Sequence, residues 1–211
     1  MTKTLAVPDR EEFCRLVQLH GELFGEGDRA YHTALESFRN AILSAISDCE
    51  MSSMLRLFLL KWGRMGRVVG TLGCERIASK LREMAPRLSE FRHLTIATSD
   101  LDRFSRTASD VYEDLLNTEW KSKKGRTKRV GPTATSKVLH IVAPDFFVMW
   151  DRSIRRYYGF RDDGREYVRF LTIMKCWLEK LQPVIAELSA THQRSPAKLI
   201  DEYNWLKCRG K

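Results

Sequence analysis

A lysine and an aspartate fourteen positions apart, Lys137 and Asp151, are the residues of this sequence whose types and setting can do chemistry. Lys137 lies in Gly131-Pro132-Thr133-Ala134-Thr135-Ser136-Lys137-Val138-Leu139, where Gly-Pro opens a short helix that begins with hydroxyls. A helix start already carries partial positive charge, so an ammonium is disfavoured there. That setting, with Val138 and Leu139 alongside, lowers the amine pKa and supplies neutral amine for nucleophilic attack. The plainer reading is a surface lysine or a phosphate ligand. Asp151 follows the apolar run Phe146-Phe147-Val148-Met149-Trp150 and begins the next helix. Alone it reads as an N-cap. Delivered by that run to the edge of the core, a carboxylate in low dielectric can also stabilise a developing cation or deprotonate a nucleophile. The pair is more informative than either member.

Just before this stretch, Lys121-Ser122-Lys123-Lys124-Gly125-Arg126-Thr127-Lys128-Arg129 carries six positive charges and no negative one. A phosphate backbone suits such a loop. Expected DNA contacts are Lys128, Arg129, the backbone from Gly131 into the helix start with Thr133 and Thr135, and Arg64 and Arg67 in a glycine-rich basic turn. A P-loop is excluded, because no second glycine precedes Lys137 and no strand leads into the motif. The net charge of +9, from 36 basic and 27 acidic residues, favours an acidic partner. No apolar run can span a bilayer; the longest, 54–60, is interrupted by Arg56. The first ten residues lack the apolar stretch of a secretory signal, so a soluble cytoplasmic protein is expected. The five cysteines are scattered, as are the five histidines, so neither a metal site nor a cofactor is expected.

Helices must position these groups. Apolar periodicity predicts helices over 11–24, 29–47, 51–61, 73–84, 101–116, 151–158, 164–181 and 197–207. Gly25-Glu26-Gly27 ends the first, and Asp28 caps the second. Trp62-Gly63 stops the third, and 93–98 reads as an extended link. Pro183 kinks or breaks the long helix, and Ser195-Pro196 opens the last one. The class is all-α. A single domain, 1–211, suits the length, and so do two tightly joined helical lobes.

Gly131-Pro132, the helix bearing Lys137, a short connector, and Asp151 followed by Ile154 and Arg156 together resemble the core of the helix–hairpin–helix DNA glycosylase superfamily. The resemblance covers roughly residues 120–160 and lies nearer the oxoguanine glycosylase and lyase branches. It implies a two-lobed helical fold with a cleft, a hairpin backbone that binds phosphate, Asp151 assisting cleavage of the N-glycosidic bond, and, as in the members that also have lyase activity, Lys137 as nucleophile on C1′; a water activated by Asp151 would instead leave only an abasic site. This sequence departs from the usual Leu-Pro-Gly-Val-Gly hairpin. Gly131 sits six residues before Lys137, Thr133 is the alternative occupant of the nucleophile position, and the lysine-to-aspartate separation is short. The implied enzyme acts as a monomer on double-stranded DNA. It everts a damaged or modified base, an oxidised purine or a modified base of foreign (phage) DNA, against aromatic walls for which Trp62, Trp120, Phe146 and Trp150 are candidates. The rival from another class is a non-catalytic helical DNA- or RNA-binding module, in which Lys137 is one more cation.

Overall fold

The computed structural model describes residues 5–24 and 29–209. The chain runs α1 (Arg10–Phe24), α2 (Arg29–Asn40), α3 (Asp48–Leu55), a π-helix (Arg56–Trp62), α4 (Gly70–Glu83), α5 (Ala85–Ser89), α6 (Leu101–Leu116), β1 (Glu119–Lys121), β2 (Thr127–Arg129), α7 (Pro132–Val142), α8 (Arg152–Tyr158), α9 (Gly164–Lys180), α10 (Gln182–His192) and α11 (Pro196–Lys207). The architecture is mostly helical, with one two-stranded ribbon among the described residues. None of the helices described is long and apolar enough to cross a membrane. The turn expected at Gly25-Glu26-Gly27 and the cap expected at Asp28 fall outside the described residues.

Most helices begin where side-chain chemistry starts them. Asp100, Asp151, Asp163 and Ser195 each turn a side-chain oxygen onto backbone N–H groups of the first turn, satisfying donors that the helix cannot. Pro183 lies in the first turn of α10, where its missing N–H costs nothing, so it opens a new helix after α9.

Three expectations are corrected. The periodic stretch 29–47 is not one helix, because α2 stops at Asn40. The Arg92 guanidinium donates to the carbonyls of Phe38, Arg39 and Ala41 at 2.5, 3.0 and 2.5 Å, and so satisfies the end of α2 from a distant part of the chain. A capping box of Ser47 and Glu50 then starts α3. The stretch 51–61 is α3 continued by the π-helix, whose wider turn is closed by Gly63 N–H donating to the Phe58 carbonyl at 2.7 Å. A Cβ at Gly63 would sit 2.8 Å from the Leu59 carbonyl oxygen, so the close of that turn admits glycine alone. The segment 93–98 is a pair of turns fixed by the Ile96 N–H on the Asp145 carbonyl, 2.9 Å away, and is not extended.

The basic loop is a β-ribbon. Glu119 pairs with Arg129, Trp120 with Lys128 and Lys121 with Thr127, and Gly125 takes the left-handed conformation at its turn, φ 73°. Its two ends are stitched together where it leaves α6 and joins α7. Val130 N–H donates to Thr118 O at 3.1 Å, and Gly131 N–H to Leu116 O at 3.4 Å. α6 and α7 are therefore consecutive packed helices, and the ribbon is an excursion between them. α9 packs on α6, α4 on α3 and α11 on α1. The core between them is aromatic around Tyr112, Phe146, Phe147, Trp150, Tyr167 and Phe170.

Candidate active site around Lys137

Gly131 stands at the N-cap of α7 with φ 73° and ψ 163°, a backbone conformation in which a side chain is strained, and Pro132 fixes the first helical residue. One turn on, Ser136 makes the decisive connection. Its Oγ donates to the Trp150 carbonyl at 2.8 Å and accepts the Trp150 N–H at 3.2 Å. Lys137 and Asp151 each follow one member of this buried lock, and the two charges act on one another. The sequence placed Lys137 at a helix start, whereas it is the sixth residue of α7, beyond the strongest part of the helix-end field.

Burial is what shifts Lys137. Its Nζ donates to the Gly63 carbonyl at 3.3 Å and lies 4.8 Å from the centroid of the Trp62 ring. Partial removal from water pushes the amine down from 10.5 to about 8; Asp201 and Asp151 favour its ammonium, while Lys198 and Arg209 oppose it. A meaningful share of the amine is thus neutral near physiological pH. The π-helix positions both partners, ending with Trp62 stacked on Phe58 at 5.1 Å and turning the Gly63 carbonyl toward α7.

Asp151 caps α8, its Oδ1 accepting the Ile154 N–H at 2.9 Å, and its other oxygen is paired with the Arg209 guanidinium. Arg209 lies over the Trp205 ring, its Cζ 4.0 Å from the centroid. The cap role expected of Asp151 as its plain explanation is present, and the carboxylate is only partly buried.

α11 completes the site with groups that sequence reasoning missed. Lys198 is 1 % exposed, with Nζ 3.3 Å from Asp201 Oδ2 and 3.0 Å from Glu202 Oε1. Burial pushes Asp201 up to about 6, against the pull of Lys198. Arg194 holds the other oxygen of Glu202 at 2.6 Å. Beneath Trp62, Tyr31 packs at 5.2 Å, and its hydroxyl meets His140 Nε2 at 2.8 Å. His140 Nδ1 faces the Phe147 carbonyl at 2.7 Å and must donate; with its pKa pushed down to about 3 by burial the ring is neutral, so Tyr31 donates to Nε2. The signal on α11 was its Lys-x-x-Asp-Glu spacing after Ser195-Pro196, a pattern that ordinarily marks solvated ion pairs along a helix.

Of the expected aromatic walls, Trp62 stands beside Lys137. Phe146 and Trp150 do not qualify: both are buried in the core, and the Trp150 indole N–H is committed to the Tyr112 hydroxyl at 3.1 Å. Trp120 packs its ring against Gly73 of α4, where a Cβ would meet it at 2.8 Å, so it anchors the ribbon. Among the expected phosphate contacts, Arg64, Arg67 and Arg129 are exposed, and Gly131 and Thr133 are partly so. Thr135 is fully buried with its hydroxyl on the Gly131 carbonyl at 2.9 Å, which removes it from any phosphate. Lys128 is drawn inward, donating to the carbonyls of Arg67 and Val68 at 3.1 and 3.4 Å, so it ties the ribbon to the turn after the π-helix. No group of three or more metal-ligating side chains converges among the described residues. No family model, curated protein or solved structure matches the chain.

Proposed function

We propose that this protein is a DNA glycosylase acting on double-stranded DNA, which everts a damaged or modified base and breaks its N-glycosidic bond. The observation that carries this reading is a lysine amine of lowered pKa, set on a tryptophan face and under the influence of two carboxylates, with an exposed cationic ribbon leading directly into its helix. An amine of this kind is the nucleophile that Schiff-base chemistry requires. In this reading Lys137 Nζ attacks C1′, the C1′–N bond breaks, and the departing base keeps the bonding pair and takes up a proton. Asp151 stabilises the positive charge that develops on the sugar, exchanging the Arg209 guanidinium for that charge. The C1′–O4′ bond then opens, with O4′ taking up a proton from the attached nitrogen, and removal of a C2′ proton from the resulting protonated imine expels the 3′ phosphate by β-elimination, which gives lyase activity. Trp62 provides one face for the everted nucleotide, and Lys121, Lys123, Lys124, Arg126 and Arg129 of the ribbon, with Arg64 and Arg67, track the phosphates.

The continuous pair α6 and α7, joined through the stitched ends of the ribbon, supports a helix–hairpin–helix-like unit, and the two-lobed fold with a cleft belongs to the same reading. Oxidised purines and modified bases of foreign DNA are the substrate classes to test first. Duplexes carrying a panel of modified bases, incubated with protein and then treated with alkali, should break at one of them. Uniform background across the panel, with the protein folded, would remove the enzymatic reading. A binding module without chemistry is favoured by one observation, the engagement of both Asp151 oxygens in structural contacts. It would show salt-sensitive binding and no cleavage.

A further inference from the structure

Lys198, Asp201 and Glu202 occupy one buried face of α11, and the proposed reaction uses none of them directly. A lysine 1 % exposed is costly unless its charge is matched. Here it is matched twice, by Asp201 Oδ2 at 3.3 Å and Glu202 Oε1 at 3.0 Å, and Glu202 is itself steadied by Arg194 at 2.6 Å. The ammonium so clamped lies 5.5 Å from the Trp62 centroid. Lys137 Nζ lies 4.8 Å from the same centroid. Two primary amines therefore share one indole, and the carboxylates in ion-pair contact belong to Lys198.

Like charges brought together away from water disfavour each other's ionised form, and the amine with the weaker counter-charge is the one that yields its proton. We propose that Lys198 is a positioning residue for Lys137: its clamped ammonium, set against the same ring, enlarges the share of the neighbouring amine that is neutral and ready to attack an electrophilic carbon. The identity of that carbon rests on the proposed glycosylase reading; the charge arrangement needs no DNA. Among the described residues, the charges that act most strongly on Lys137 are Asp201 and Lys198 from α11, Asp151 at the start of α8 and Arg209 beyond the end of α11. Burial supplies most of the effect, Lys198 adds to it, and Asp201 works against it. Neutralising Lys198 and neutralising Asp201 must then move Lys137 in opposite directions, which a merely structural role would not do.

The test is an NMR pH titration of Lys137 in the full-length, DNA-free protein carrying isotope-labelled lysine, with the signal assigned by Lys137→Arg. Lys198→Gln should raise the Lys137 midpoint by about one pH unit, which below the midpoint is roughly a tenfold fall in neutral amine. Lys198→Arg retains the cation and should restore the wild-type midpoint. Asp201→Asn should lower it, with Lys198 still paired to Glu202 at 3.0 Å. Should Lys198→Gln not fold, Lys198→Met in the Asp201→Asn background takes its place, leaving Glu202 paired with Arg194. Its midpoint should then lie above that of Asp201→Asn alone. A midpoint that fails to rise when the Lys198 charge is lost, or that rises as far with Lys198→Arg, overturns the proposal. If the shifts occur while no duplex is cleaved, the glycosylase reading fails and the lysine pair stands.

Discussion

Replacing Lys137 with methionine should stabilise the fold at neutral pH, and by an amount that depends on pH. The amine titrates at about 8 in the folded chain against an ordinary 10.5. A lysine whose folded pKa lies below its unfolded value is penalised on folding whenever it is protonated in both states. The penalty is therefore full below about pH 8, declines between 8 and 10.5, and is absent above that. At about 1.36 kcal/mol per pH unit, that interval makes the full penalty roughly 3 kcal/mol. Methionine has a similar length and an apolar body that fits beside Trp62, so little packing is lost. Urea denaturation of wild type and Lys137→Met from pH 6.5 to pH 10.5 measures the difference directly. The variant should be more stable by about 2 to 3 kcal/mol at pH 7, with the gap closing as pH approaches 10.5. A gap that is flat across this range, or a variant less stable than wild type at pH 7, would refute the claim that burial holds the amine near neutrality. A stability cost of this kind is what a reactive group imposes on its fold.

Asp151→Asn preserves a good N-cap, so stability should change by less than about 0.5 kcal/mol while base excision is abolished and DNA binding persists; retained excision would leave Asp151 a cap and nothing more. Ser136→Ala strands the Trp150 N–H and carbonyl in the core and should cost roughly 1 to 3 kcal/mol in urea denaturation. A loss below the lower figure would mean that Ser136 does not hold the two halves of the site together. Changing the exposed ribbon residues Lys123, Lys124 and Arg126 to glutamine should reduce the slope of log affinity against log salt by roughly 3, as read by fluorescence anisotropy on a duplex. An unchanged slope would exclude the ribbon from the phosphate interface.

Local signals carried the helices whose ends are set by nearby residues. Asp151 and Ser195 announce α8 and α11, and α6 and α9 lie where apolar periodicity put them, with Asp100 and Asp163 as the caps that start them. What escaped is decided across the chain. α2 ends because Arg92 reaches its carbonyls, and no residue within the periodic stretch 29–47 records that. The ribbon has only three residues per strand and no apolar alternation; its support is Trp120 on Gly73 and Lys128 on the Arg67 and Val68 carbonyls. Lys137 and Asp151 were legible as a pair because each follows a distinctive run. Lys198 and Asp201 were not, because a buried and a solvated Lys-x-x-Asp spacing are the same letters, and only the packing of α11 against Trp62 makes them part of the site. Phe146 and Trp150 were misread for the converse reason: an aromatic run beside a charged residue looks like a pocket wall and here is core.

Borohydride trapping tests the central claim most directly. Wild-type protein is mixed with duplexes bearing either an abasic site or the base found by the alkali panel, reduced, digested, and the cross-linked peptide sequenced. The expected result is a covalent protein–DNA species attached at Lys137, absent in Lys137→Ala and still formed by Lys198→Arg. Equal trapping by Lys137→Ala, or a cross-link that maps to another lysine, would show that this amine is not the nucleophile.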